Sequence, residues 1–390
     1  MPKKDYSYGK QFIDDDDLKS IQSVLNSNYL TQGPVTEDFE NNIANFVGSK
    51  HAVSVNSATS GLHIACLSLG LSSQDILWTS PISFVASANC GLYCGADIDF
   101  VDIEKDSFNI CPKALSKKLS TAKANSRLPK ILVVVHMCGN PANLEKIKSV
   151  CDLYGVKIIE DASHALGASY KDSRIGDCKY SEAAIFSFHP VKMITTAEGG
   201  MVTTNSQDLY NLMITLRSHG ITRDRSSMLQ YHGPWYYEQK ILGFNYRMNE
   251  IQAALGISQL RKLEGFLVKR NDIARKYREF LNQEIFSYQH ISTNSTCSYH
   301  LFVCQFREKK TPLEMASFFN DCLNASIRLN IHYIPIHLQP FYKNLGKFSD
   351  LRESESYYPR SFSIPIYFQL CDEDLIYITK SLNKIAHNYL

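Results

Sequence analysis

The sequence predicts an α/β fold: a mainly parallel seven-stranded sheet between helices, followed by a smaller C-terminal α+β domain. Three observations predict it. Seven short apolar runs alternate with helical patterns between about residues 35 and 205, the mark of a parallel sheet covered on both faces. A long helical stretch follows them. The last third then mixes strand and helix patterns. With 390 residues, 44% of them hydrophobic, the chain is long enough for two or three folding units and a large core.

Taken in order, a lead-in helix covers about residues 15–26, and Thr31-Gln32-Gly33-Pro34 breaks its pattern. Strands are expected at 51–55, 76–79, 98–101, 131–136, 156–160, 183–188 and 201–204. Helices lie between many of them, for example at 59–70, 83–94 and 144–154. The longest apolar run, residues 131–135, has the length of a strand and falls far short of the ~18 residues that span a bilayer. Residues 249–263 and 268–283 read as helices; Ile251, Ala254, Leu255, Ile257 and Leu260 recur at the helical period. Beyond them come a strand at 301–306, a helix at 312–323, a strand-like run at 332–336 and a final helix at 372–388. This reading divides the chain into an N-terminal lead-in (1–34), a large α/β domain (35–265) and a small α+β domain (266–390).

Composition narrows the function classes. Lys and Arg total 41 against 39 Asp and Glu, a net charge of +2, which argues against a large basic surface for nucleic acid. The start shows no apolar stretch of the kind a secretory signal needs. The eleven cysteines are scattered, odd in number, and form neither Cys-x-x-Cys nor a zinc-finger spacing. Free thiols in a reducing cytosol are the expectation, with no metal and no membrane role.

In open parallel sheets, ligands sit beyond the carboxyl ends of the strands. Four segments stand out there. Asn56-Ser57-Ala58-Thr59-Ser60-Gly61 joins a strand to a helix with small residues only, which lets backbone N–H groups approach an anion; an ordinary cap by Ser57 or Thr59 is the competing reading. At Glu160-Asp161-Ala162-Ser163-His164 an apolar strand runs into a carboxylate, suited to a protonated ring nitrogen or to capping a helix. The run Ser187 to Gly200 ends a strand and presents Lys192 among small and apolar neighbours. That suits a partly buried, Schiff-base-forming lysine rather than a solvated one. Gly243-Phe244-Asn245-Tyr246-Arg247-Met248-Asn249-Glu250 precedes a helix; Asn249 reads as its cap and Glu250 as a complement to its dipole, which leaves Asn245 and Arg247 unexplained. One ligand fits all four: pyridoxal phosphate, which needs a lysine and an acidic partner for its pyridinium nitrogen.

The order NSATSG, PISFVASAN, EDASHALGA, SFHPVKMITTAEGG, LRSHG and NYRMNEIQAALG resembles the DegT/DnrJ/EryC1/StrS family over about residues 6 to 386. These are fold-type-I pyridoxal-phosphate-dependent aminotransferases acting on nucleotide-linked keto-sugars. The resemblance implies that Lys192 is catalytic and bonds to the cofactor, that Asp161 pairs with the ring nitrogen and that His164 lies near the phenolic oxygen. It implies that Phe84 stacks on the ring, and that Ala58, Thr59 and Ser187 hold the phosphate. Asn245 would reach the phosphate of the neighbouring subunit, so a homodimer with a shared active site is expected. Tyr8, Asn28, Tyr29, Leu30, Thr31, His332, Tyr333, Ile334 and Pro335 would line the sugar-nucleotide site. The implied donor is L-glutamate, its carboxylate met by Arg217 or Arg247. The implied acceptor is C4 of a UDP-linked 4-keto-6-deoxy-N-acetylhexosamine, a step toward pseudaminic acid. Another nucleotide-linked keto-sugar, or a non-catalytic protein binding the same ligands, remains the alternative. Relatives that replace this lysine with histidine become dehydratases; Lys192 is retained here.

Overall fold

A run of aspartates opens the first helix in the computed structural model, which describes residues 4–390. Asp14 caps helix α1 (Asp15–Leu25) by accepting from the backbone N–H groups of Asp16 and Asp17, and Asp17 closes the capping box. Pro34 occupies the first turn of α2 (Pro34–Val47), where its missing N–H is harmless. This helix was not foreseen. Its Gly33 cap has no side chain, and the buried Glu250 takes over the capping, accepting from Val35 N (2.7 Å) and Thr36 N (3.2 Å). Glu250 therefore serves a neighbouring helix, as well as standing in the first turn of its own.

The seven expected strands form one sheet. They are β1 (His51–Val55), β2 (Ile76–Thr79), β3 (Asp97–Phe100), β4 (Ile131–Val135), β5 (Lys157–Asp161), β6 (Ala183–Ser187) and β7 (Gly200–Thr204). Their spatial order is β1-β7-β6-β5-β4-β2-β3, and only β7 runs antiparallel to its two neighbours. Every residue of β4 and β7 is buried, as expected when helices cover both faces. The covering helices are α3 (Ala58–Ser68), α4 (Ala86–Tyr93), α5 (Pro112–Ala124), α6 (Leu144–Asp152) and α7 (Gln207–Arg217). Helix α3 buries Leu62, Ile64, Ala65 and Cys66, apolar on more than one side because the sheet and other helices enclose it. Helix α8 (Glu250–Leu260) packs so closely on α2 that a Cβ on Gly256 would lie 2.5 Å from the Phe39 ring.

No sharp break separates the two halves. Helix α9 (Leu263–Phe280) is continuous across the expected boundary at 265/266: Leu263, Phe266 and Leu267 join the large core, while Ile273, Ala274 and Tyr277 join the small one. The small domain pairs β8 (Phe286–Tyr288) and β10 (Ser361–Ile364) on either side of β9 (Phe302–Phe306), with α10 (Pro312–Asn324) and the C-terminal helix Asp372–Ala386 completing its core. The lead-in is not separate from it. Tyr6 is buried in that core, its N–H donates to Ser326 O (2.9 Å), and Lys4 pairs with Asp374.

One expected strand is absent. Residues 332–336 run as an irregular segment into a short 3₁₀ turn, Ile336–Leu338. Pro335 supplies no N–H for a ladder there, so the β pattern of the flanking residues cannot be continued.

Candidate active site

A cavity of about 520 Å³ opens where the carboxyl ends of β1, β4, β5 and β6 meet the small domain and the N-terminal strap. Val135, Asp161 and Ser187 come from the strand ends, and Ser57, Ala58 and Thr59 from the start of α3. Ser57 caps α3 through Ser60 N (3.1 Å), leaving the first-turn N–H groups facing the cavity end of the helix. Gly200 opens β7 between Val55 and Ser187. A Cβ there would lie 2.6 Å from Ala58 N, so only glycine lets the strand and the helix start come this close. The result is an anion cradle made of backbone, with Ser187 beside it.

Asp161 is 6% exposed, and its carboxylate is held by two donors. Ser87 Oγ donates to Oδ2 (2.6 Å) and Ser163 N to Oδ1 (3.2 Å). Ser83, buried in the cavity wall, lies 2.6 Å from Ser87 Oγ and continues the hydroxyl chain. Neither serine's role was foreseen, because the carboxylate that Ser87 meets lies 74 residues further along the chain. Behind the site, His136 Nε2 meets Glu160 at 2.8 Å, with both groups fully buried.

Lys192 lines the same cavity. The loop carrying it closes on itself: Thr196 N and Thr195 Oγ1 donate to Phe188 O, and Phe188 N donates to Gly199 O. Burial pulls the Lys192 ammonium down to about 8, with the negative charge of Asp161 opposing that shift. Its side-chain contact is with His300 Nε2 at 3.5 Å. His164 follows β5; its Nε2 lies 3.2 Å from Tyr333 OH, and its buried Nδ1 has no hydrogen-bond partner among the described residues. Burial first, and the Lys192 charge second, keep His164 and His300 well below the usual imidazole range. His332 is pushed to about 3 for the same reasons.

The cavity thus gathers Tyr8, Ala58, Thr59, Phe84, Asp161, His164, Ser187, Lys192, His332 and Tyr333 from the expected set. Phe84, 58% exposed, forms an outer wall with its ring 6.3 Å from that of Tyr333. The other expected residues lie outside the lining. Asn28, Tyr29, Leu30 and Thr31 are exposed on a segment anchored to the start of α8, where Glu250 N donates to Leu30 O (3.1 Å). Asn245 is exposed beside the end of α7, bridged to Ser218. Ile334 points to solvent and Pro335 leads away into the 3₁₀ turn. Arg217 is committed elsewhere, to Glu40 and to Ser54 O (2.7 Å), which tie α7 to α2 and β1. Arg247 is half-buried and outside the cavity. His300 is among the lining residues that the sequence reading missed; the run Ser298-Tyr299-His300 carries no local signal of a site.

A larger groove, about 860 Å³, lies at the outer edge of β3 between α5 and residues 345–353. Lys118 pairs there with Asp99 and Arg127 with Asp97, and none of the site residues singled out from the sequence lines it. Among the described residues no cluster suits a metal ion, and no helix is long and apolar enough to cross a membrane.

An amine of lowered basicity, a fixed carboxylate, an aromatic wall and a backbone anion cradle fit a phosphorylated pyridine aldehyde. The unpartnered Nδ1 of His164 adds a polar atom with no partner of its own in this wall.

Comparisons with known proteins give the chain's family. A model of the DegT/DnrJ/EryC1/StrS aminotransferase family matches residues 11–383. The chain is 36% identical over 381 residues to the UDP-4-amino-4,6-dideoxy-N-acetyl-beta-L-altrosamine transaminase of Campylobacter jejuni, covering 97% of each chain. It is 35% identical over 377 residues to an uncharacterized protein of Methanocaldococcus jannaschii, covering 96% of each. Among solved structures, Helicobacter pylori PseC, an aminotransferase involved in the biosynthesis of pseudoaminic acid, superposes with a TM-score of 0.89 at 33% identity, over 99% of this chain and 100% of that one.

Proposed function

The chain belongs to the DegT/DnrJ/EryC1/StrS aminotransferase family, with the fold-type-I architecture of its solved relatives, and on that premise we propose that it aminates C4 of a UDP-linked 4-keto-6-deoxy-N-acetylhexosamine. The product would be UDP-4-amino-4,6-dideoxy-N-acetyl-β-L-altrosamine, with L-glutamate as donor. The observation that carries the reading is the convergence of Lys192, Asp161 and the α3 anion cradle on one cavity, in a chain similar over its full length to the altrosamine transaminase.

Pyridoxal phosphate is the cofactor we assign. Ala58, Thr59 and Ser187 would hold its phosphate, Asp161 its ring nitrogen, Phe84 and His164 its ring, and Lys192 its aldehyde carbon. When bound, it supplies an electron sink for the carbanion formed as the donor loses its α-proton. The protein's own residues do the rest. Asp161, locked by Ser87 and Ser163, keeps a proton on the ring nitrogen through charge pairing. The amine of Lys192, with its basicity lowered to about 8, accepts a proton and returns it near neutral pH.

We propose that the working unit is a homodimer. The arm between Gly220 and Gly243 exposes Leu229, Trp235 and Leu242, and its base is pinched where those glycines meet; a Cβ on Gly243 would lie 2.0 Å from Gly220 N. Asn245, at the end of this arm, and residues 28–31 would then face the partner's cavity rather than their own. Mixing Lys192→Ala with Asn245→Ala should restore up to about a quarter of wild-type turnover, the share of heterodimeric sites that escape both substitutions. Mixtures no more active than their components would remove the shared site. The eleven free thiols favour a cytoplasmic setting.

The substrate reading is tested by incubating purified protein with L-glutamate and equal concentrations of UDP-, dTDP- and GDP-linked 4-keto-6-deoxy sugars. Mass spectrometry and NMR would identify each amine product. The UDP-N-acetylhexosamine derivative should give the highest kcat/KM. Preference for a dTDP- or GDP-linked sugar would replace the proposed acceptor while leaving the aminotransferase assignment in place.

A further inference from the structure

We propose that His300 is a positioning residue for Lys192: it accepts a hydrogen bond from the free ε-amine and holds it for proton transfer. The proposal rests on the aminotransferase reading above and adds to it a residue from the small domain.

The geometry places the two side chains together from opposite halves of the molecule. Lys192 comes from the loop after β6, and His300 from the approach to β9. Their Nζ and Nε2 atoms are 3.5 Å apart, at the long end of hydrogen-bond reach. His300 is 3% exposed and fixed on two sides. Its carbonyl accepts from Arg270 Nη1 (3.2 Å), which also holds Tyr299 O and Ile366 O (3.0 Å each). Its ring packs on that of His164, with centroids 4.5 Å apart. Arg270 is itself buried, and among the described residues its hydrogen bonds reach these three carbonyls, so a whole side chain fixes the backbone at this point.

Chemistry selects the direction of the contact. An ammonium can only donate, so Nε2 must be bare and Nδ1 must carry the ring proton. That Nδ1 is buried without a partner among the described residues, an arrangement that ordinary cores avoid. Burial also disfavours a charged His300, so the ring is not a resting place for the Lys192 proton. It is an acceptor with a fixed position. A lysine that must leave the cofactor's carbon and then serve as base and acid needs such an anchor, because its four-carbon stem is otherwise free to rotate.

The test compares His300→Gln, whose amide oxygen keeps an acceptor, with His300→Leu, which fills the space without one. Two readouts are used. In the loaded enzyme, stopped-flow absorbance follows the half-reaction with L-glutamate. His300→Leu should lower its limiting rate by about tenfold or more, the scale of a mispositioned catalytic group, with little change in half-saturating glutamate. His300→Gln should recover most of that rate. In the cofactor-free full-length chain, acetylation of Lys192 by an amine-reactive reagent is followed by peptide mass spectrometry. Loss of the acceptor destabilises the ammonium, so His300→Leu should label several times faster than wild type and His300→Gln should not. If His300→Leu does not fold, His300→Asn, polar but too short to reach Nζ, takes its place. Equal labelling and equal limiting rates in all variants would overturn the proposal. So would equal impairment by Gln and Leu, which marks a packing role. A wild type with no glutamate half-reaction would sink the aminotransferase reading instead, while the labelling arm would still report on the His300–Lys192 contact.

Discussion

Lys192→Ala is expected to abolish transamination and to remove the visible absorption band that pyridoxal phosphate gives when bonded to the protein. Two losses combine. The covalent anchor disappears, so the cofactor would keep only non-covalent contacts, the cradle at α3, Ser187 and Asp161 among them. The proton-transfer group disappears as well, which by itself accounts for roughly 10²–10⁴-fold. The lowered basicity of the amine, about 8, is what makes the second loss large: a fully solvated lysine would be protonated and idle at neutral pH. The measurement is a spectrum of wild type and variant before and after L-glutamate, with product formation followed over hours. A variant that retains the glutamate-sensitive band and turns over at a tenth of the wild-type rate or better would remove Lys192 from its assigned role.

Asp161→Ala is expected to lower kcat by about 10²–10³-fold, the scale of losing one preorganised electrostatic partner. The carboxylate is 6% exposed and is locked in place by hydroxyl and amide donors, so it needs little reorganisation when it pairs with a ring nitrogen. Removing it leaves the ring nitrogen free to lose its proton and weakens the electron sink. Ser87→Ala should act in the same direction but cost only about tenfold, because it removes a single hydrogen bond to a charged group. The ordering of the two variants is the check. A Ser87→Ala defect as large as that of Asp161→Ala would mean that the hydroxyl chain from Ser83, rather than the carboxylate, dominates. Near-wild-type turnover in Asp161→Ala would end the ring-nitrogen assignment.

The sheet was legible because its strands are short apolar runs set between helical patterns, and burial on both faces leaves them little other place to be. The expected 51–55, 76–79 and 131–136 differ from the observed strands by at most a residue. Helix α2 escaped notice because Gly33-Pro34 reads as a break, whereas its cap comes from Glu250, more than two hundred residues away. The run at 332–336 misled in the opposite sense: apolar spacing suggested a strand that Pro335 cannot continue. The domain boundary was blurred by a physical cause, since one face of α9 near its start belongs to the first core and one near its end to the second.

The site divides along the same line. Lys192, Asp161, Ser187 and the Ser57–Ser60 turn are each marked by what immediately surrounds them, namely a strand end followed by small residues or a reactive group. Backbone topology then obliges strand ends of a parallel sheet to share one edge, so the sequence by itself determined the fold class, the family and these groups. Arg217 shows the limit: a cation next to a recognisable motif proved to be a strut for Glu40 and Ser54. The roles of Ser87, Arg270 and His300 have no local mark, and their partners are Asp161, backbone carbonyls and Lys192, reached across 74 to 108 residues in the cases of Ser87 and His300. Only tertiary structure decided which hydroxyl locks the carboxylate and which imidazole meets the amine. Such contacts depend on distances of a few tenths of an ångström between distant segments, and no periodicity along a chain encodes them.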